Sequence, residues 1–219
     1  MKQYPSIPYW NSKIIGESCI AFDKLDGSNL RFEWSRKSGW YKFGTRNQMI
    51  NHTNEQFGGA IPLFLDKYGD GLEKVFSKRE YRTKPNFVVF CEYFGPSSFA
   101  GQHNSNDIMD LVLFDVSEYK RGMIIPQEFV DNFGHLHIPD IIYQGKLTED
   151  FILNIKNEIY PVIEGVMVKG VHKTKGDENI WIAKIKTKAW VDKVKALHGI
   201  DWVKKELNGD QNLISSFNI

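Results

Sequence analysis

Residues 17–46 read ESCIAFDKLDGSNLRFEWSRKSGWYKFGTR, and this stretch decides the fold class. Two runs of strand-forming residues, Glu17–Phe22 and Asn29–Trp34, flank the polar segment KLDGSN at 24–29. Trp40–Phe43 continues the aromatic, alternating pattern after a Lys-Ser-Gly turn, which predicts a β-hairpin. The segment KLDGSN therefore lies in a turn between two predicted strands.

The remainder of the chain predicts further strands and helices without regular alternation. Strands are expected at 87–94, 110–116, 162–171 and 180–186, which are short and apolar. Helices are expected at 126–133, from Thr148 onward and at 189–198, while 54–82 should form two helices because Pro62 and Gly69–Gly71 interrupt it. This pattern indicates an α+β fold of mostly antiparallel sheets flanked by helices.

Length and composition favour a folded intracellular protein. The 219 residues predict one domain with at most a short appendage, and 42% hydrophobic with 25% charged residues argues against disordered or coiled-coil classes. No apolar run reaches the roughly 18 residues of a membrane span, and MKQYPSIPYW lacks a signal-peptide core. Cys19 and Cys91 show no metal-ligand spacing. We expect a cytoplasmic protein that has no membrane association.

Positive charge is concentrated near the end of the sequence. The formal net charge is +1, but residues 167–205 hold ten lysines, no arginine and four acidic residues. Such a segment predicts either attraction to a polyanion or a solvated lysine face, and both interpretations stay open at this point.

Several charged residues occur where a charge is costly or chemically useful. Lys24 ends a predicted strand beside a glycine turn, where a lysine can lose its proton and become a nucleophile, although such turns are also ordinary loops. Glu92 and Glu164 lie in apolar strands, so each is either paired or used. Lys184 and Lys186 share one strand face and should repel each other unless an anion lies between them.

Five motifs in the same order resemble those of the covalent nucleotidyltransferases, a superfamily of ATP-dependent DNA ligases, RNA ligases and mRNA capping enzymes. They are motif I, KLDGSN (24–29), motif III, FCEYFG (90–95), motif IIIa, LVLFDV (111–116), motif IV, EGVMVK (164–169), and motif V, AKIK (183–186). The segments YPSIPYWNSKII (4–15) and EYFGP (92–96) are most similar to the nick-sealing RNA ligases of bacteriophages. The resemblance implies an ATP-grasp-like catalytic domain at 1–190, followed by a short basic helical tail at 191–219.

By this resemblance Lys24 attacks the α-phosphate of ATP and forms a lysyl–AMP intermediate. The resemblance places Lys184 and Lys186 at that phosphate and gives Glu164 a role in Mg²⁺- or Mn²⁺-dependent chemistry. Glu92 is expected at the ribose hydroxyls or in the metal shell.

The resemblance also implies further contacts with nucleotide and nucleic acid. Phe114 is expected to stack on adenine, while Asp26, Gly27, Asn29 and Arg46 are expected around the nucleotide and the substrate phosphate. The predicted nucleic-acid contacts also include Lys169, which should face away from Glu164 on a regular strand, and three lysines farther along the chain, Lys188, Lys193 and Lys195.

The resulting prediction is an ATP-dependent RNA ligase that seals 3′-OH/5′-phosphate nicks in duplex RNA or RNA/DNA hybrids. We expect a monomeric RNA-repair enzyme, in the host cytoplasm if it is encoded by a bacteriophage. No barrel or large helical domain follows motif V, so either a partner protein or reduced discrimination among substrates is a further expectation. Two alternatives stay open: a minimal ATP-dependent DNA ligase, and a non-catalytic nucleic-acid-binding remnant of a ligase.

Overall fold

The computed structural model describes residues 3–96, 106–174, 177–207, 214–215 and 217. Its strands are β1 (Ser18–Asp23), β2 (Ser28–Ser35), β3 (Gly39–Thr45), β4 (Met49–Ile50), β5 (Asn86–Phe94), β6 (Asp110–Glu118), β7 (Gly122–Met123), β8 (Ile141–Lys146), β9 (Gly165–Thr174) and β10 (Asp177–Lys186). Its α-helices are α1 (Ala60–Phe64), α2 (Asp70–Phe76), α3 (Pro126–Phe133), α4 (Glu149–Lys156), α5 (Lys188–His198) and α6 (Ile200–Glu206). Together they form two compact units.

The first unit comprises residues 3–6, 26–96 and 106–139 of the described chain. Its antiparallel sheet has the strand order β4-β3-β2-β5-β6-β7, and the predicted hairpin is confirmed by the pairing of β2 with β3. Phe64 of α1 stacks on Phe32 of β2 at 3.7 Å, and Phe76 of α2 stacks on Phe87 of β5 at 4.0 Å between ring centroids. The two helices therefore cover one apolar face of this sheet.

Two α-helices lie within 54–82 as predicted, but the expected break between them is absent. One continuous helical path runs from Ala60 to Phe76, with a π-helical turn at Leu65–Gly69 between α1 and α2. Pro62 lies in the first turn, where its missing N–H is not needed. Gly69 adopts helical angles. A glycine within a helix costs about 1 kcal/mol of stability relative to alanine. Burial of aromatic side chains on the same helix offsets this cost.

The second unit comprises residues 7–25, 140–174, 177–207, 214–215 and 217. Its antiparallel sheet has the order β10-β9-β1-β8. The sequence pattern did not predict β8, because this edge strand is mostly exposed or half-buried and lacks a clear apolar alternation. The strands predicted for β1, β9 and β10 are confirmed, but β9 begins and ends three residues later than predicted, and β10 begins three residues earlier.

Helix α4 packs on one face of this second sheet. The predicted cap is confirmed, since the Thr148 hydroxyl accepts a hydrogen bond from the Phe151 amide. Phe151 shares a buried apolar cluster with Ala183 and Ile185 of β10. Side chains alternate along a strand, so Lys184 and Lys186 lie on the opposite face of the sheet.

Helices α5 and α6 form a second apolar cluster at the end of β10. The helix predicted at 189–198 is confirmed as α5, and Gly199, with φ +83°, separates it from α6. Trp190 and Val194 of α5 pack with Val203 of α6 and with Tyr9. No helix within the described residues has the length and apolar character required to cross a membrane.

Candidate functional site

Three lysines and two glutamates of the second unit form a continuous network of ion pairs. The Lys24 Nζ lies 2.9 Å from Glu164 Oε1, and the Lys186 ammonium donates a short hydrogen bond to the same oxygen. Glu206 Oε1 lies 2.7 Å from Lys184 Nζ and 3.6 Å from Lys186 Nζ. The anion between the two strand lysines is therefore the carboxylate of Glu206.

Strand register brings these segments together although they are far apart in sequence. Lys24 directly follows β1, and its amide donates to the Gly165 carbonyl at 3.0 Å. Glu164 directly precedes β9, which pairs with both β1 and β10. Lys186, at the end of β10, is opposite Gly165. Motifs I, IV and V thus meet at one end of three adjacent strands.

The prediction that Lys169 faces away from Glu164 is wrong. Lys169 is opposite Ile182 on β10, so it shares a sheet face with Lys184 and Lys186. Glu164 reaches the same face because Gly165 has φ +142° and interrupts the regular strand geometry between them. Lys169 is buried, with its Nζ 5.1 Å from the ring centroid of Phe22.

Burial and the neighbouring charges shift the titration of this network. Burial alone would raise the pKa of Glu164, but Lys186 and Lys24 outweigh it and hold that pKa below its usual value. Burial lowers the pKa of Lys186 to about 8, with Lys24 adding to the effect and Glu164 and Glu206 opposing it. The charge of Lys186 thus depends on its carboxylate partners.

Aromatic rings cover the two lysines of β10. The Lys184 Nζ lies 4.5 Å from the Tyr9 ring centroid, and the Lys186 Nζ lies 3.2 Å from that of Trp190. Both distances are within the range of cation–π contacts. Sequence reasoning did not single out Tyr9 or Glu206. The sequence drew attention only to the segments around them. Tyr9 lies in the ligase-like segment 4–15, and Glu206 directly follows the lysine-rich stretch 167–205.

Asp23 is a half-buried carboxylate beside the network that the sequence did not single out. Burial, together with Asp140 and Glu164, raises the pKa of Asp23 to about 6, against the opposing effect of Lys24. Asp23 therefore changes its charge at a pH closer to 7 than Glu164 does.

Replacing Gly165 by alanine should disrupt the site and the fold together. A Cβ at this position would overlap the Ile185 carbonyl oxygen and approach Lys186 Cα to 2.8 Å, at a φ of +142°. We expect a loss of at least about 3 kcal/mol in the free energy of unfolding, measured by urea denaturation. Gly199→Ala is the control, since Gly199 has φ +83° but no atom within 4 Å of the added Cβ. An equal loss in both variants would show that crowding at Gly165 is unimportant.

The candidate nucleotide-binding residues of the first unit lie on and around its sheet. Asn29 of β2 is directly opposite Glu92 of β5, so the two side chains share one face. Phe114 is the extra residue of a β-bulge on β6, and its ring packs edge-on against Tyr4 at 4.9 Å. The Tyr4 hydroxyl donates to Asp115 at 2.8 Å, which fixes the N-terminal segment on this unit.

The turns of the first unit hold three further predicted residues. Asp26 is buried, and a Cβ on Gly27 would come within 2.9 Å of Phe94 Cβ, so glycine permits this close approach. Arg46 is exposed in the turn after β3, where its carbonyl accepts a hydrogen bond from Arg31 at 3.4 Å. The predicted nucleic-acid lysines on α5 are exposed at Lys188 and Lys193 and partly buried at Lys195.

Two antiparallel sheets with flanking helices, and a lysine at the end of the first strand of one of them, define the nucleotidyltransferase fold class. The family model for RNA ligase matches residues 17–186, which is most of the chain. The chain belongs to the RNA ligase family. No curated protein matches it significantly in sequence.

Solved structures of Naegleria gruberi RNA ligase share this fold. A mutant with ATP and Mn is 17% identical with a TM-score of 0.62, covering 88% of this chain and 58% of that one. The enzyme with PPi is 17% identical with a TM-score of 0.61, covering 90% and 58%. A mutant with AMP and Mn is 15% identical with a TM-score of 0.60, covering 88% and 58%. The chain therefore spans somewhat more than half of the length of these neighbours.

Proposed function

We propose that this protein is an ATP-dependent RNA ligase that seals 3′-OH/5′-phosphate nicks through a lysyl–AMP intermediate. The observation that carries the proposal is the ion-pair network of Lys24, Glu164 and Lys186 at one end of three strands. A lysine held beside a second buried ammonium group is suited to receive a phosphoryl group, because the neighbouring cation stabilises the charge that develops on phosphate oxygens.

The reaction has three steps in this proposal. The Lys24 amine attacks the α-phosphorus of ATP, pyrophosphate leaves, and the amine loses its proton as the N–P bond forms. The AMP then passes to a 5′-phosphate, which breaks the N–P bond and frees Lys24. Finally a 3′-OH attacks that activated phosphate, AMP leaves, and a phosphodiester forms. Lys184 and Lys186 bind the phosphate oxygens and neutralise their charge.

Glu164 has the features of a ligand for a divalent cation. Its Oε2 is buried and has no hydrogen-bond partner among the described residues, and a carboxylate oxygen suits Mg²⁺ or Mn²⁺. When bound, such a cation supplies positive charge beside the phosphates. Within the described residues, no group of three or more His, Cys, Asp or Glu side chains is arranged to hold a metal. Magnesium is commonly bound by one or two carboxylates together with substrate phosphates.

The remaining assignments rest on the motifs and on the names of the structural neighbours. Those neighbours bind ATP, AMP and Mn, as their titles state, which supports ATP and a divalent metal as cofactors here. We propose that Phe114 stacks on adenine, that Glu92 contacts the ribose or the metal shell, and that Arg46 and Asn29 contact substrate phosphates. Asp26 and Gly27 complete motif I.

The proposal extends to the domain organisation, the cellular location and the biological role of the protein. We propose a catalytic region at 1–190 and a short basic tail at 191–219, part of which lies outside the described residues, with Lys169 at the phosphates and the exposed lysines of α5 at the duplex. The motif resemblance supports an RNA-repair role in the cytoplasm, that of the host if the protein is encoded by a bacteriophage, and a partner protein that assists nick binding.

A nick-sealing panel tests this function. One nick is built with either RNA or DNA on its 3′-OH side, and sealing is measured with ATP and Mg²⁺ or Mn²⁺, alongside AMP transfer to the protein. We expect faster sealing with RNA. Equal rates would remove the RNA assignment and favour a DNA ligase. AMP uptake without sealing would point to a missing partner. If the protein takes up no AMP, the alternative of a non-catalytic, nucleic-acid-binding remnant of a ligase is favoured.

A further inference from the structure

We propose that Glu206 of α6 competes with the phosphates of the nucleotide for Lys184 and Lys186 and thereby sets the affinity of the enzyme for ATP. The inference rests on the proposed function, since it assigns to the same phosphate-binding site a residue that sets its affinity for ATP. No motif of the sequence includes Glu206.

The position of the carboxylate is that of a bound anion. A single oxygen, Glu206 Oε1, lies 2.7 Å from Lys184 Nζ and 3.6 Å from Lys186 Nζ. One anionic oxygen between two ammonium groups is the contact that a non-bridging phosphate oxygen makes with paired lysines. Glu206 and a nucleotide phosphate would therefore use the same hydrogen-bond donors.

The charge of the network favours exchange of one anion for another. Lys24, Lys184 and Lys186 contribute three positive charges, against which Glu164 and Glu206 contribute two negative charges. A triphosphate is more negative than one carboxylate, and it repels Glu206 at short distance. Binding of ATP should therefore release the Glu206 side chain from the lysine pair.

The local structure allows this release without unfolding of the helix. Glu206 is the last residue of α6, and its side chain is 27% exposed, whereas the Glu164 side chain is 3% exposed. The neighbours Val203 and Leu207 hold α6 in the apolar cluster with Trp190. Rotation of the Glu206 side chain toward solvent leaves that cluster intact. Glu164 has no comparable route to solvent.

Glu206→Gln removes the charge and keeps the shape and a hydrogen-bond acceptor. We expect the KM for ATP in self-adenylylation at pH 7 to fall about 3- to 10-fold, with less than about 2-fold change in maximal rate. The equilibrium Kd for ATP should fall by the same factor. Asp201→Asn is the matched control, because Asp201 is an exposed carboxylate on the same helix and loses the same charge.

Each outcome decides between roles of Glu206. An unchanged or higher KM, or a lower maximal rate alone, would overturn the competition and indicate that Glu206 positions the lysines. An equal decrease in Asp201→Asn would reduce the effect to general electrostatics and would also overturn it. If wild-type protein takes up no AMP, the proposed function fails. Tighter ATP binding by Glu206→Gln would still support competition in that case.

Discussion

Lys24→Arg and Lys24→Ala should each reduce transfer of AMP from ATP to the protein by at least about 10³-fold. Arginine retains the positive charge that pairs with Glu164, but its guanidinium does not lose a proton in proteins and so cannot act as the nucleophile. The two variants therefore separate the charge of Lys24 from its reactivity. The measurement is incorporation of radiolabel from ATP labelled at the α-phosphate, with Mg²⁺ or Mn²⁺ present.

The control for these variants is Lys146→Ala, at the exposed end of β8 in the same unit. It removes a lysine that also lies at a strand end but does not contact the network, so labelling should stay within about 2-fold of wild type, as is usual for surface substitutions. Labelling of Lys24→Arg at more than about a tenth of the wild-type rate would contradict the assignment of the nucleophile.

Glu164→Ala should cost about 3–5 kcal/mol in the free energy of unfolding and should abolish measurable AMP transfer. Among the described residues, the substitution leaves Lys186, whose side chain is 3% exposed in the wild type, with only Glu206, at 3.6 Å, as a carboxylate partner. An uncompensated buried ammonium is strongly unfavourable, which gives the large effect on stability. Urea denaturation measures the first loss and α-labelled ATP the second.

The double variant Glu164→Met/Lys186→Met distinguishes stability from chemistry. Replacing both members of a buried ion pair by apolar residues of similar volume is often neutral for stability, so we expect most of the loss to be recovered. AMP transfer should still be absent, because both the carboxylate and the phosphate-binding ammonium are gone. Labelling by this folded double variant at the wild-type rate would show that the pair serves the fold alone.

The sequence predicted the parts of the fold in which local pattern and tertiary structure agree. The helix predicted at 126–133 and the Thr148 cap are confirmed because proline, threonine and early acidic residues favour helix starts wherever they are exposed. The edge strand β8 was missed because its burial does not alternate clearly. The break expected at Gly69 did not occur, because packing of the helix outweighs the propensity of glycine.

For the site, the motifs predicted which residues take part, but they did not predict all of the ion-pair partners of these residues. The alternation of β10 predicted that Lys184 and Lys186 share a face, and it required an anion without naming one. Glu206 could not be predicted, since its pairing depends on how α6 packs after Gly199 and not on any repeat. The face of Lys169 was predicted wrongly because Gly165, with φ +142°, breaks the strand geometry that the parity rule assumes.

The most direct test of the account is to locate the nucleotide on the chain. Wild-type protein is incubated with ATP and Mn²⁺ at pH 7 and digested without acid, and the peptides are sequenced by mass spectrometry. The account predicts the mass of one AMP on the peptide that contains Lys24, and none on peptides that contain Lys184 or Lys186. AMP attached to another residue, or its absence from a folded protein that binds ATP, would contradict the central claim.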